Sequence, residues 1–514
     1  MSKKIAKVKT SVISGINAID VSVEADLYEK ANKFNFSIIG LADTAIREAK
    51  HRVVSALRKT GVYLQGDVLI NLSPAEIKKE GASFDLPIAV ALLEAKGAIS
   101  CQAIQDYAFY GELALDGGIK PIKGMIAHSV AAKIKKIKKI LVPLENYNEA
   151  RLINGIEIFP VRNLSEVLGF FRGSFDIESN KLLINNTLKE EIFENSLADV
   201  QGQEQAKRAL TIAAVGRHNL LFVGPPGCGK SMLAERLPSL LPPMSNKEII
   251  EVAKIYSIAG IEFKNALRGV RPFRAPHYVT SDTGLIGGGA IPKPGEISLA
   301  HNGILFLDEF PEYNRKALEA LRIPLEKGRV LISRAKASFY FPANFQLIAA
   351  MNPCPCGKLG SIGQECLCHP QLVSKYLQKI SQPIIDRIDL QVSLDAVRIS
   401  DLKTQIKSST LAEHNKIKTL IQKAIDNSFN RQKKYNAYLN NEELTSSQFL
   451  DSDVKNFYDA IADRQKLSVR GYFRALKVAR TIADLENSEK ISKDHISEAC
   501  SYRSLNLIKD YIER

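Results

Sequence analysis

The stretch Gly224-Pro225-Pro226-Gly227-Cys228-Gly229-Lys230-Ser231 constrains this chain more than any other. The apolar run Leu220-Leu221-Phe222-Val223 precedes it and Met232-Leu233-Ala234-Glu235-Arg236-Leu237 follows, which reads as strand, glycine loop and helix. Glycines let backbone N–H groups close around phosphate oxygens, because a Cβ would hold the chain off. A helix starting at Lys230 adds the partial positive charge of its N-terminus. Lys230 is then placed for the β- and γ-phosphates, and the Ser231 hydroxyl for Mg2+.

A second signal lies downstream, in Gly303-Ile304-Leu305-Phe306-Leu307-Asp308-Glu309-Phe310. Four apolar residues followed by two carboxylates describe a buried parallel strand that ends at a nucleotide crevice. Asp308 is the candidate to hold magnesium through water, and Glu309 to polarise the attacking water. Alone, such a pair is usually a solvated strand end. After a phosphate loop it predicts a nucleotide hydrolase.

The 514 residues suffice for about three domains, each with its own core. The apolar share of 45% and charged share of 25% are those of an ordinary globular protein. No apolar run is long enough to span a bilayer, and the basic start Met1-Ser2-Lys3-Lys4 lacks a following apolar region, so a cytoplasmic protein without membrane association is expected. Net charge +14 suits a polyanionic partner but does not require one. Seven cysteines without such a leader argue against a disulfide framework.

Residues 1–172 read as a mixed unit. Ile19, Val21, Val23 and Ala25 alternate as in a half-buried strand. Ile46, Ala49, Val53 and Leu57 recur at helical spacing, with Asp43 or Thr44 as cap. Val68–Leu72 and Ile140–Pro143 read as strands, 85–95 as an apolar helix and 109–118 as a glycine-turn hairpin. The run Lys133-Ile134-Lys135-Lys136-Ile137-Lys138-Lys139 reads as a solvated face, with a phosphate-contacting patch as the sharper alternative. Residues 173–195 are polar and acidic, the composition of a linker.

The segment from Tyr110 to Asn146 resembles the proteolytic domain of Lon-type proteases, which work with a Ser–Lys pair. Against that motif, Ser83 stands at the nucleophile position, but the position of the lysine falls on Ile126. Lys123 is three residues off, which turns a helical side chain away. A serine without a base is a poor nucleophile. The expectation is a Lon-like α+β domain without proteolytic chemistry.

The combination of GPPGCGKS, FRAPHYVTSDTGLIGGG, GEISLAHNGILFLDEFPEY, MNPCPCG and RGYFRALKVARTIADL resembles the magnesium-chelatase-like AAA+ proteins, and within them the ComM (YifB) branch. The resemblance covers nearly the whole chain. It implies an α/β P-loop core over 196–395 and a helical lid over 396–514, and a homohexameric ATP-driven ring acting on DNA in branch migration, recombination and natural transformation. It places Val200 and Gln203 at the adenine pocket beside Met232, Asn352 at sensor 1, Arg387 as the arginine finger supplied by a neighbouring subunit, and Arg470 at sensor 2. The last helix then opens at Ser468, with Arg470, Arg474 and Lys477 on one face and Val469, Phe473, Leu476 and Ile482 on the apolar one. The resemblance also places an insert at 273–298 and a hairpin at 328–345 in a central pore. Arg334 and Lys336 share a strand face there, which suits gripping a DNA backbone.

Cys354-Pro355-Cys356 and Cys366-Leu367-Cys368 can supply four thiolates to a tetrahedral Zn2+, with Gly357, Gly360 and Gly363 letting the loop close. A cluster of free thiols or a redox pair is the alternative, and His369 could replace one cysteine. Three other functions stand against the DNA motor. A Lon-type protease lacks support from Ile126 and from domain order. A magnesium-chelatase motor subunit would not carry residues 1–172. A nucleotide-gated scaffold would not need the full set of Lys230, Asp308, Glu309, Asn352 and Arg387.

Overall fold

The computed structural model describes residues 5–29, 33–79, 81–177, 196–200, 202–289, 292–334, 337–361, 363–396, 411–446 and 448–503. The chain divides into two compact units, the first of residues 1–187 with 250–264 and 333–340, the second of 188–249, 265–332 and 341–514.

The first unit is built on strands β1 (Ala6–Ser14), β2 (Asn17–Tyr28), β3 (Asn35–Ile39), β4 (Asp67–Ser73), β5 (Tyr107–Phe109), β8 (Lys139–Pro143) and β9 (Glu157–Val161), with the ribbon β6 (Glu112–Leu113) and β7 (Ile119–Lys120) beside them. The sheet runs β3-β4-β2-β1-β5-β8-β9. β2 is antiparallel to β1 and β4; the remaining pairs are parallel. The helix Thr44–Lys59 starts where the Asp43 carboxylate accepts the Ile46 N–H at 2.8 Å, and it buries Ile46, Ala49, Val53, Ala56 and Leu57. The helix Asp85–Ala95 is buried from Asp85 through Leu93, as an all-apolar helix must be. Its buried charge, Asp85, receives Arg52 Nε at 2.6 Å and Nη2 at 3.0 Å. Burial still lifts that carboxyl to about 6. A second apolar cluster gathers Tyr110, Met125, Ile126, Val142, Tyr147 and Ala253.

The second unit carries a five-strand sheet of β10 (Leu220–Val223), β11 (Phe273–Arg274), β14 (Ile304–Leu307), β17 (Gln346–Met351) and β18 (Leu390–Ser393), ordered β11-β14-β17-β10-β18. Every pairing is parallel. β10, β14 and β17 are buried throughout, which is why they read as continuous apolar runs. The ribbon β12 (Gly287–Gly288) with β13 (Lys293–Pro294) completes the strands of this unit; β15 (Arg329–Arg334) and β16 (Ala337–Pro342) form a separate ribbon whose residues 333–340 belong to the first unit.

Helices Glu204–Gly216 and Lys230–Leu240 flank the sheet, and the C-terminal helices Leu411–Gln432, Ser452–Arg464, Val469–Leu485 and Lys493–Ser501 share one apolar core with them. The architecture is therefore an α/β P-loop parallel sheet with a helical C-terminal region, preceded in the chain by an α+β unit.

One apolar face needs correction. Val469 is 76% exposed, while Leu476 and Ile482 are fully buried and Phe473 packs partly against the core. Val469 is the first helical residue after its cap, Ser468, whose Oγ accepts the Gly471 N–H at 3.1 Å, so it lies beyond the rim of the core.

Candidate nucleotide site and cysteine knuckle

β10, β17 and β14 lie side by side, so their carboxyl ends bring together residues up to 128 positions apart in sequence, as in the pairing of Val223 with Met351 and of Leu307 with Ala349. Gly224 follows β10, Asp308 follows β14 and Asn352 follows β17. The glycine loop turns into the helix Lys230–Leu240 at Gly229, whose φ of +92° a side chain rarely adopts.

Lys230 is buried. Its Nζ donates to the Gly224 carbonyl at 2.6 Å, the Pro225 carbonyl at 2.9 Å and Asn352 Oδ1 at 3.1 Å. Burial lowers its pKa, so the ammonium sits in a cradle that favours an anionic partner. Ser231 Oγ donates to Asp308 Oδ2 at 2.6 Å. A hydroxyl and a carboxylate aimed at one point are the donor set that magnesium takes in such sites, so the residues present fit that ion.

Glu309 is exposed, and its φ of +50° is uncommon for a residue with a side chain. Its N–H donates to Asp308 Oδ1 at 2.9 Å. The left-handed turn thus sends two successive carboxylates to different places, one to Ser231 and one to solvent at the crevice. Val200 is buried, and Gln203 Nε2 donates to the Cys228 carbonyl at 3.3 Å and the Asp395 carbonyl at 2.8 Å. Cys228 is buried and Met232 is 43% exposed.

Arg387 and Arg470 are brought together elsewhere. Arg387 is only 3% exposed and pairs with Glu326, while Arg470 Nη2 lies 3.9 Å from the same Glu326 oxygen. Burial lowers the Arg387 pKa, and Arg470 adds to that while Glu326 opposes it. Arg474, on the same helix as Arg470, is instead bound to Asp389 at 2.6 Å. The motifs assign no role to Glu326 or Asp389; their arginine partners lie 61 and 85 positions away.

The four cysteines Cys354, Cys356, Cys366 and Cys368 converge, with all four sulfurs within 4.8 Å of one another. The Sγ separations are 3.5 Å for Cys354–Cys356, 3.6 Å for Cys354–Cys366 and 3.7 Å for Cys356–Cys366. A zinc bound tetrahedrally at its usual ~2.3 Å from sulfur sets sulfurs ~3.8 Å apart, so the cluster fits that ion. His369 is not part of it; its Nδ1 accepts the Gln371 N–H at 3.4 Å, capping the helix Pro370–Leu377.

In the first unit, Ser83 is partly buried just before the helix Asp85–Ala95, and Ile126 is fully buried in the helix Met125–Ile134. Lys133, Lys135, Lys136 and Lys138 are exposed, and Lys135 pairs with Asp20 at 3.2 Å. The Arg334 side chain and Lys336 lie outside the described residues. Among the described residues, no helix is long and apolar enough to cross a membrane.

A buried phosphate-loop lysine, a hydroxyl–carboxylate pair and an asparagine at the ends of three adjacent parallel strands define a P-loop nucleotide hydrolase. Comparison with known proteins gives the branch. The families described as magnesium chelatase, subunit ChlI; subunit ChlI of Mg-chelatase; and magnesium chelatase, subunit ChlI C-terminal match residues 196–402, 23–146 and 412–503. The YifB protein of Escherichia coli strain K12 is 40% identical over 509 residues, 99% of this chain and 98% of that protein. Competence protein ComM of Haemophilus influenzae is 40% identical over 495 residues, 96% of each chain. Lon protease 2 of Bacillus subtilis is 25% identical over 236 residues, 41% of this chain and 42% of that enzyme. The chain belongs to the YifB/ComM family of magnesium-chelatase-like AAA+ ATPases.

Proposed function

We propose that this protein is an ATP-driven motor that assembles as a homohexameric ring in the cytoplasm and moves DNA, with branch migration in recombination and natural transformation as its task. The observation that carries the reading is the convergence of Lys230, Ser231, Asp308 and Asn352 at the ends of β10, β14 and β17. The name of the ComM relative supports the link to competence, and the net charge of +14 suits a polyanionic track.

In this mechanism the loop amides and Lys230 hold the phosphates. Ser231 and Asp308 would hold magnesium, which would supply charge neutralisation to the phosphates. Glu309 accepts the proton of the attacking water, and Asn352 orients that water. Arg387 reaches the site of an adjoining subunit and stabilises the charge of the transition state; Arg470 acts from the lid. Val200, Gln203 and Met232 border the base. Zinc is the ion we propose for the four cysteines. The first unit retains a Lon-like fold without proteolysis, since Ile126 offers no base to Ser83.

The test is the ATPase rate of the full chain with single-stranded, duplex and branched DNA at two salt concentrations. Stimulation by DNA that weakens steeply with salt is expected. No affinity for any DNA, with ATP split equally well by a dilute monomer, would end the reading. Arg334→Ala with Lys336→Ala should keep basal ATPase and lose strand displacement; unchanged displacement would remove these residues from the track.

A further inference from the structure

The loop that carries the four cysteines also touches the nucleotide cradle. Gly357 has φ +73°, and a Cβ built there would lie 2.9 Å from Pro226 Cγ and 3.7 Å from Asn352 Nδ2. Pro226 belongs to the phosphate loop. Asn352, two residues before Cys354, binds Lys230 through its Oδ1. The loop wraps the buried Cys354: the Leu359 N–H donates to its sulfur at 3.4 Å and the Gly357 N–H to its carbonyl at 3.1 Å. Beyond Cys368, His369 caps the helix Pro370–Leu377.

Between Cys354 and Cys368 the described residues form neither helix nor strand. Fixing such backbone costs on the order of 1–2 kcal/mol per residue, and no ladder of backbone hydrogen bonds offsets it. A cross-link through four thiolates would hold the loop shut, because metal affinity becomes folding free energy. The same cross-link would seat Gly357 on the phosphate loop, where only a glycine leaves room for the approach.

We propose that the four cysteines form a metal-held knuckle that positions the hydrolytic site from outside it. It presses Gly357 against Pro226 and fixes Asn352 against Lys230. The knuckle contributes no ligand to the nucleotide. It sets where the asparagine and the phosphate loop stand when water attacks. This inference rests on the zinc reading above and goes beyond it, since a merely structural zinc would leave turnover untouched.

The test uses the full chain, purified reduced. Zinc per chain is measured first, and cobalt(II) exchange reports tetrahedral thiolate coordination by its absorption. Two variants follow, Cys366→Ser with Cys368→Ser, which removes two ligands, and Gly357→Ala, which keeps all four. Zinc is also stripped from the folded wild type with a chelator and restored. Readouts are kcat, KM and the affinity for a fluorescent ADP analogue.

One zinc per wild-type chain is expected. Loss of zinc should lower kcat by about 10- to 100-fold, the scale of an ångström misplacement, with nucleotide affinity nearly unchanged. Gly357→Ala should keep its zinc and lose kcat as well, which a folding defect in the serine variant cannot imitate. Well below one zinc per chain would overturn the metal reading and this inference with it. Full zinc occupancy, with kcat unchanged both in Gly357→Ala and after stripping, would overturn the positioning role alone.

Discussion

Asp389 stands just before β18, where distant parts of the second unit meet. Its Oδ1 accepts from Arg474 Nη1 at 2.6 Å, its Oδ2 accepts the Asn219 N–H at 3.0 Å, and His218 Nδ1 lies 3.6 Å away. Burial would raise its pKa, but Arg474 and His218 outweigh that and hold the carboxyl well below the usual carboxylate range. Asn219 leads into β10, and Arg474 is on the helix Val469–Leu485 that carries Arg470. The pair therefore ties that C-terminal helix to the strand that ends in the phosphate loop. Asp389→Asn keeps the shape and removes the charge. Breaking a buried pair costs ~3–5 kcal/mol. The Arg474 side chain is 23% exposed, so water recovers part of its loss and the lower figure applies. At about 2 °C per kcal/mol for a large domain, melting should fall by about 6 °C. Asp389→Asn, Arg474→Met and the double variant would be melted side by side by calorimetry. The double variant should lose little more than either single one. Because the folded pKa is depressed, the pair's stability is fully present above the unfolded value of about 3.9 and is lost as pH falls from there through the much lower folded value, so the gap between wild type and variant should narrow progressively in acid. A shift under about 2 °C, additive losses in the double variant, or a gap that does not narrow at all as pH falls below about 3.9 would each refute the reasoning.

Arg387→Ala should lose about three to five orders of magnitude in ATPase rate, and Glu309→Gln about two to four. Mixing the two variants should restore part of it, because a subunit with an intact Glu309 then receives Arg387 from its neighbour; no recovery would place Arg387 outside the shared site. In the first unit, burial lowers His128 to about 3, and Ser11 Oγ sits 2.7 Å from its Nδ1. Below pH 6.5 the unfolded chain takes up a proton that the fold refuses, so stability falls by about 1.4 kcal/mol per pH unit. His128→Gln should flatten the melting profile between pH 6.5 and 5; an unchanged slope in calorimetry removes His128 as its cause.

What the sequence disclosed follows from how local each signal is. The glycine loop, the Asp308–Glu309 strand end and the helix Asp85–Ala95 are written in contiguous residues, so patterning alone locates them. The strand β1 also alternates, with Ala6, Val8, Thr10 and Val12 buried, a signal the sequence analysis did not use. Periodicity treats a helix as endless, and Val469 shows the cost: a residue can have the right phase and still lie past the core. The insertion of β17 between β10 and β14 is not local at all, since it depends on how crossovers pack. Nor is Gly357 against Pro226, which lie 131 positions apart. A glycine in a cysteine loop reads as freedom to turn; only the fold gives it a neighbour.

Glu326 has the most to say about control. Two arginines face it, Arg387 nearly sealed from water and Arg470 largely exposed, with side-chain exposures of 4% and 62%. One carboxylate cannot neutralise both, and Arg470 weakens the charged state of Arg387. Arg387 Nε is also buried without an acceptor among the described residues, a donor left unsatisfied where burial makes that costly. The pairing is thus short of the best the side chain could find. A polyphosphate offers more charge and more acceptors than Glu326 can, so in the proposed ring an adjoining site holding nucleotide would compete for Arg387 on favourable terms. In a lone subunit the same arginine stays with Glu326. On the proposed role of Arg387, dependence of hydrolysis on assembly has a physical reason: the arginine has a partner at home, and only a better anion draws it out.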